Sequence, residues 1–229
     1  ESDVRIFEFG NVYKNINNSY KEEENLVIGL FGSQNEEHWF NGAPEVSFFQ
    51  LKGIVLSIIE ALGLESLCQT SSLQNNLYSD GISYIIKDSK IAEIGWPSSE
   101  LSNYVGLKTS VFIATIFWEK LIEFTQLNKI SFKPLIKHPK VYRDLSLLID
   151  NSITFKAIED VAYKADISIL KKIYLFDVYK DKKMGEGQKS YAVRFELHHE
   201  KKTLKDKEID KVMNKIQQLL IKNLNAELR

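Results

Sequence analysis

Lys207, Lys211 and Lys215 recur every fourth residue, with Lys222 further on, so on a helix they share one face. Such a row suits phosphate contacts, or it is a solvated face paired with Glu208 and Asp210; both readings stand. Other groupings invite chemistry but fail on spacing. Glu36, Glu37 and His38 offer metal or acid–base groups, yet nothing at helical i, i+4 spacing completes a ligand set, and a surface loop is expected. Gly185-Glu-Gly187-Gln-Lys189-Ser190 imitates a phosphate loop. That motif needs glycine directly before Lys-Ser and a helix directly after; here Gln188 intervenes and a strand follows, so the segment reads as a hairpin loop. His198 and His199 point to opposite faces of a strand and cannot chelate one metal in regular geometry. Arg5 and Glu8 on a first strand suit either a nucleotide contact or a structural ion pair at an exposed edge.

Charge divides the chain. Its 229 residues carry a net charge of −1, yet residues 131–229 hold 21 Lys+Arg against 14 Asp+Glu, and residues 1–130 hold 9 against 17. An acidic front and a basic back are expected where one end meets a polyanion and the other a protein. The apolar share of 44% is that of a packed protein, and the length suits one large domain or two modest ones. A single cysteine, Cys68, excludes an internal disulfide and fits a reducing compartment. With no leader and no apolar run longer than about Val111–Phe117, a cytoplasmic location is expected. The first residue is Glu1, already within a strand-like pattern, so the chain reads as a fragment of something longer.

These groups need elements to position them. In the front half, Val4–Lys14 and Leu26–Phe31 read as strands, with a polar turn at Asn15–Ser19. Phe48, Leu51, Ile54, Val55, Ile58, Ile59 and Leu62 have helical spacing, and Gly63 is placed to end the helix. Ser83–Ile86 and Ile91–Trp96 flank a hairpin turn, and Val111–Trp118 is a buried strand running into a helix through Phe124. Trp39, Trp96 and Trp118 are expected in core or interface. An antiparallel sheet backed by helices accommodates these elements.

The back half is more regular. Arg143–Asp150 alternates, with Leu145, Leu147 and Ile149 on one face and Asp144, Ser146 and Asp150 on the other. Ser152 or Thr154 can cap a helix carrying Phe155, Ile158, Ala162 and Ala165. In Leu170–Lys180 the alternation predicts Tyr174, Phe176 and Val178 inward, with Leu175, Asp177 and Tyr179 outward. Lys189–His199 turns Tyr191, Val193, Phe195 and Leu197 inward and Ser190, Ala192, Arg194 and Glu196 outward. A helix from Asp206 to Leu224 and a closing strand at Ala226–Arg229 complete a β-α-β-β-α-β order. Two helices then cover one sheet face and leave the other open, as in several RNA-binding modules.

Pro139-Lys-Val-Tyr-Arg-Asp-Leu145, Leu175-Phe-Asp-Val-Tyr179, Lys189-Ser190-Tyr191, Thr203-Leu-Lys-Asp-Lys-Glu208 and Asn225-Ala-Glu-Leu-Arg229 occur in that order. Together they resemble the ferredoxin-fold anticodon-binding domain that ends the beta subunit of bacterial phenylalanyl-tRNA synthetases. Arg5-Ile-Phe-Glu-Phe-Gly10, Phe48-Phe-Gln-Leu-Lys-Gly53, Ile91-Ala-Glu-Ile-Gly95 and Val111-Phe-Ile-Ala114 resemble the same subunit's catalytic-like domain.

The resemblance implies an α+β fold: a class II synthetase-like antiparallel sheet over residues 1–130, then a ferredoxin-like domain over 131–229. It implies that the chain packs on the catalytic alpha subunit in an alpha-two beta-two heterotetramer and meets tRNA(Phe). ATP and Mg²⁺ would serve phenylalanine–tRNA ligation in the holoenzyme, with no cofactor, metal or catalytic residue in this chain. Class II catalysis uses an arginine in its third motif, and Thr109–Phe124 contains neither arginine nor glycine. The resemblance also places anticodon contacts on the open sheet face. The first anticodon base is guanine, whose N1–H and N2–H₂ donors suit the Asp177 carboxylate, with Ser190 beside it. Tyr179 offers a stacking ring or ordinary edge packing, and Asp177 reads guanine or pairs with Arg194. Arg194 and Lys189 are expected at backbone phosphate. The rival reading is an assembly module that touches only protein; it favours an apolar open face, whereas Asp144, Ser146, Asp177 and Arg194 are polar.

Overall fold

Two asparagines set the first element. Asn17 and Asn18 take φ of 50° and 62°, the conformation of a tight hairpin turn whose hand matches strand twist. They join β1 (Val4–Ile16) to β2 (Ser19–Phe31) in an unbroken antiparallel ladder from Val4↔Phe31 to Ile16↔Ser19. The computed structural model describes residues 3–35, 39–40, 42–107, 110–126, 137–166, 168–180 and 187–228. Glu36, Glu37 and His38, and most of the glycine-containing loop before Gln188, lie outside those residues. The chain divides into two compact units, Glu1–Phe132 and Lys133–Arg229.

In the first unit the hairpin joins β3 (Cys68–Ser72), β4 (Tyr78–Ile86), β5 (Ser89–Pro97) and β6 (Val111–Phe117). The six strands run antiparallel in the order β1-β2-β6-β5-β4-β3. Only Asn25–Phe31 of β2 pairs with β6, so beyond Asn25 the hairpin is a two-stranded ribbon. Helix α1 (Phe48–Ala61) is capped by Ser47, whose Oγ accepts from the Gln50 amide, and Gly63 follows it at φ 70°. Its Leu51, Val55 and Ile59 pack with Leu26, Ile28, Leu30, Ile94, Ala114 and Ile116 of the sheet. Short helices α2 (Ser99–Tyr104) and α3 (Trp118–Thr125) complete the unit. Trp96 stacks on Phe48 and Trp118 meets Phe9 edge-on. Trp39, by contrast, is 89% exposed.

The second unit pairs β7 (Val141–Asp150), β8 (Leu170–Tyr179), β9 (Gln188–Leu197) and β10 (Glu227–Leu228) in the order β10-β7-β9-β8, all antiparallel. With α4 (Phe155–Ala162) and α5 (Asp206–Leu224) this is the expected βαββαβ order. Thr154 caps α4, its Oγ1 accepting from the Ala157 amide at 3.3 Å. In α5, Glu208 accepts from the Lys205 amide, acidic Asp206 and Glu208 face the positive end of the helix, and Asn225 ends it at φ 49°. Ile158, Val161 and Ala162 of α4 and Ile209, Val212, Met213, Ile216 and Leu220 of α5 bury one sheet face, against Leu147, Ile149, Val193, Phe195 and Leu197.

On the first sheet's other face, β4 and β5 approach closely at Gly81 and Gly95. A Cβ on Gly95 would stand 2.2 Å from the Asp80 carbonyl and 3.0 Å from Tyr78 Cδ1. The Tyr78 ring thus lies against Gly95, and its hydroxyl reaches Thr115 Oγ1 on β6 at 2.9 Å. We expect Gly95→Ala to lower stability by about 1–3 kcal/mol, measured by chemical denaturation; an unchanged midpoint would refute this account of the close approach.

Candidate nucleic-acid interface

Strand β9 is the centre of the second sheet, and its neighbours fix what shares its open face. Asp144 pairs with Arg194, Ser146 with Ala192 and Leu148 with Ser190 across β7. Across β8 the partners are Tyr174 with Arg194, Asp177 with Ala192 and Tyr179 with Ser190. Residues directly opposite in a ladder point to the same side. Asp177, Tyr179, Ser190 and Arg194 therefore share the face that α4 and α5 leave uncovered.

Asp177 and Tyr179 reach that face by a route that simple alternation does not predict. Register shifts occur in β8 between Leu170 and Lys172 and between Leu175 and Asp177. Before the second shift the inward residues are Leu170, Ile173 and Leu175, and Tyr174 is outward, opposite to the alternation read from sequence. The bulge at Phe176 then adds one residue and returns Asp177 and Tyr179 to the open side. Phe176, expected inward, is exposed and lies over Arg194. Val178 shares the inner side with Tyr191 by register, yet at the sheet edge it remains exposed.

Arg194 is not a loose cation. Its Nε and Nη2 donate to the two oxygens of Asp144, each at 2.8 Å, and its guanidinium carbon lies 5.2 Å from the Phe176 ring centroid and 5.9 Å from that of Tyr142. The Arg194 pairing read as one option for Asp177 is thus taken by Asp144. That pairing holds the Asp144 carboxyl below its usual range, through the Arg194 hydrogen bonds above all. Among the described residues no hydrogen bond or ion pair engages Asp177. It lies diagonal to Ser190, a relation that separates backbones by about 7–8 Å. Ser190 is nearly buried, with its hydroxyl 3.2 Å from that of Ser146.

Lys189 differs from its expected position. It pairs with Ile149 on the helix-covered side and is buried, with Nζ donating to the Asn151 carbonyl at 2.7 Å and lying 4.7 Å from the Tyr191 centroid. Its ladder position is odd-numbered like Tyr191, so the strand pleat turns it away from the open face. Lys207, Lys211 and Lys215 line a depression on α5 with Asp210, Asn214 and Gln218. Since α5 covers the opposite face of the sheet, this row is separate from the group around Asp177. Lys215 also donates to the Ala165 carbonyl at 2.5 Å, a link between α5 and the end of α4. In the first unit, Arg5 donates to the carbonyls of Ser33 and Gln34 and so ties β1 to the chain beyond β2.

A buried carboxylate underlies part of the open face. Glu196 accepts from Lys140 Nζ at 2.8 Å and from the Tyr174 hydroxyl at 2.9 Å. Burial favours its neutral form, but those two hydrogen bonds outweigh burial and hold its pKa below the usual value. His198 Nδ1 lies 3.6 Å from Glu196. Even so, burial and then Lys171 hold the imidazole below its ordinary 6.5, so it is neutral near pH 7 and makes no charged pair there. Sequence reasoning did not single out Lys140, Tyr142, Tyr174 or Phe176; for Tyr174 and Phe176 the signal was hidden by the register shift between Leu170 and Lys172. Among the described residues no group of three or more His, Cys, Asp or Glu side chains is placed to hold a metal, and no helix is long and apolar enough to cross a membrane.

Comparison with known proteins assigns both units. Residues 1–118 match the family described as the phenylalanyl tRNA synthetase beta chain CLM domain, and residues 137–229 match the ferredoxin-fold anticodon binding domain. The chain is 34% identical over 239 residues to the phenylalanine–tRNA ligase beta subunit of Bacteroides thetaiotaomicron, covering 100% of this chain and 29% of that protein. It is 31% identical to the corresponding subunit of Clostridium acetobutylicum, covering 99% of this chain and 28% of that one. The chain thus spans under a third of the length of these curated relatives. A solved pyrrolysyl-tRNA synthetase from Desulfitobacterium hafniense overlaps 55% of this chain and 42% of its own at a TM-score of 0.40 and 17% identity.

The position of His198 sets a pH dependence. Its folded pKa lies below the value of about 6.5 that unfolding restores. Its contribution to stability is therefore full above pH 6.5 and is lost as pH falls from there through the folded pKa. The thermal midpoint should decline as pH falls below about 6.5, and His198→Gln should reduce that decline; an identical pH profile for the variant would refute the assignment.

Proposed function

Because the chain belongs to the phenylalanyl-tRNA synthetase beta-chain family, we propose that it forms the C-terminal part of that subunit, binds the anticodon region of tRNA(Phe) and packs on the catalytic alpha subunit. The observation that carries the RNA reading is the placement of Asp177 on the open face of an anticodon-binding fold, diagonal to Ser190 and unengaged among the described residues. A carboxylate accepts two hydrogen bonds from the N1–H and N2–H₂ edge of guanine. The Ser190 hydroxyl, already oriented by Ser146, donates or accepts beside it. Tyr179, directly opposite Ser190, supplies a ring against which that base stacks.

Cations play a lesser part in this reading. With Arg194 held by Asp144 and Lys189 buried on Asn151, neither meets phosphate as a free charge. Lys207 and Lys211 on the helix side add sequence-independent attraction to phosphate, and Lys215 adds less because it is already tied to Ala165.

The first unit is the assembly half of the proposal. Ile6, Phe7, Val12, Tyr13, Ile16 and Tyr20 are exposed along the β1–β2 hairpin, an apolar surface suited to a protein partner. We assign that partner as the alpha subunit within an alpha-two beta-two heterotetramer, where ATP and Mg²⁺ serve phenylalanine activation. The catalytic-like sheet supports a noncatalytic role for this chain: β6 and α3 carry no arginine, and Tyr78 crosses the sheet face to Thr115. Phe7→Glu should abolish co-purification with the alpha subunit. Amino-acid-dependent pyrophosphate exchange by this chain alone would overturn the noncatalytic assignment.

Fluorescence anisotropy of a labelled phenylalanine anticodon stem-loop tests the RNA reading. We expect tighter binding to the natural loop than to one with the first anticodon guanine replaced, loss of that preference in Asp177→Ala, and a loss of about 1–3 kcal/mol in Tyr179→Ala. Lys211→Ala should weaken both loops equally. The second reading, protein-only assembly, draws its support from the internal engagement of Arg194 and Lys189. Equal binding of both loops that vanishes with added salt would favour it.

A further inference from the structure

The open face carries a second row of side chains that the reading of one base at Asp177 leaves unused. Tyr142 of β7, Arg194 of β9 and Phe176 of β8 lie side by side across three strands, with the guanidinium between the two rings. Asp144 takes two of the five guanidinium N–H donors, one on each carboxylate oxygen. That bidentate pair fixes the plane of the group and offsets its charge. Phe176 is 54% exposed, and Tyr142 and Arg194 are about half exposed.

A phosphate site needs a cation with free charge, and Asp144 cancels the charge here. What remains is a held guanidinium packed against two half-exposed rings on a sheet surface. Exposed aromatic rings and guanidinium planes are surfaces on which unpaired bases stack. Phe176 follows inward Leu175 and so faces out, and the extra residue of the bulge brings Asp177 to the same open side beside it. The strip runs diagonally over the face, from Phe176 beside Asp177, past Arg194, to Tyr142 opposite Glu196. Arg194 at its centre is two β9 residues from Ala192, the partner of Asp177, about 7 Å along the strand, within the reach of one unstacked nucleotide.

We propose that the Tyr142–Arg194–Phe176 strip, held by Asp144, is a stacking subsite for a second unpaired RNA base, next to the base met by Asp177. The proposal rests on the anticodon reading above and deepens it. It gives Arg194 a positioning and stacking role in place of a phosphate contact, and it makes Phe176 a binding residue. Recognition at this subsite depends on a base being present and depends little on which base it is, since every base offers a π face.

The test uses the assembled ligase containing this chain and labelled anticodon stem-loops, either intact or abasic at one of the two nucleotides flanking the first anticodon base. Phe176→Ala should weaken the intact loop by about five-fold or more. One of the two abasic loops should lose a similar factor on the unaltered protein and should then be insensitive to Phe176→Ala, the coupling expected when ring and base touch. A Phe176→Ala protein that binds the intact loop as tightly as before overturns the proposal. So does a variant that weakens the intact loop and both abasic loops equally. Should Phe176→Ala fail to fold, Phe176→Leu is read by the same criteria. Asp177→Ala in parallel separates the two levels of the argument. If it retains its guanine-dependent effect while Phe176 is silent, the subsite alone falls; if Asp177 and the guanine are silent too, the anticodon reading falls with it.

Discussion

The hydrogen-bonded position of β9 between β7 and β8 is the constraint from which the second unit follows. Its inward residues, Tyr191, Val193, Phe195 and Leu197, must lie beneath α4 and α5, because only that side offers Ile158, Ile209, Val212 and Ile216 as neighbours. The strand pleat then commits Ser190, Ala192 and Arg194 to the uncovered side. Each partner across the two ladders inherits its direction from this choice, including Asp144 and Tyr174. A one-residue slip of β9 would bury Arg194 and expose Phe195. Core packing and the make-up of the open face are therefore one decision, made once by the register.

The β8 bulge adjusts that decision locally. Leu175 must point inward to meet Val193, and under strict alternation Asp177 would point inward as well and Phe176 outward. The added residue lets both Phe176 and Asp177 face outward. A carboxylate is thus presented without a charge entering the core, where it would be costly. The same device sets a carboxylate beside the exposed Phe176 ring at the sheet edge. Beneath them, Glu196 holds Tyr174 and Lys140 through hydrogen bonds that keep the carboxylate ionised despite burial.

Legibility in the sequence followed the strength of each periodic signal. The α5 stripe from Ile209 to Leu220 repeats over about three turns, and the structure places that helix at Asp206–Leu224 as read. β9 alternates without interruption, so its inward and outward sets were also correct. β8 contains two register shifts, and a period of two carried past them inverted Tyr174, Leu175 and Phe176. Asp177 and Tyr179 came out on the right face only because the second shift compensates. The start of β2 was hidden for a different reason: Lys21, Glu22, Glu23 and Glu24 sit in a ribbon with little core contact, so no apolar pattern marks Ser19–Asn25 as strand. The polar edge strand Cys68–Ser72 and the six-residue helix Ser99–Tyr104 are equally unmarked. Lys189 was assigned by charge, and the pleat that places it on the helix side decides otherwise.

In the outer part of the β1–β2 ribbon each strand has one neighbour, whereas from Asn25 onward β2 has two. Beyond Asn25 its backbone pairs are backed by no third strand, and its side chains have little core to hold them. Two-stranded ribbons of this kind are marginal by themselves, and opening there takes far less free energy than unfolding the sheet. Ribbon amides from Asn11 to Glu24 should therefore exchange their hydrogens with solvent early, while those of Leu26 to Leu30 remain protected. A subunit seated on the ribbon would slow the first group and leave the second as it was, so the exchange pattern itself reports whether the hairpin is docked.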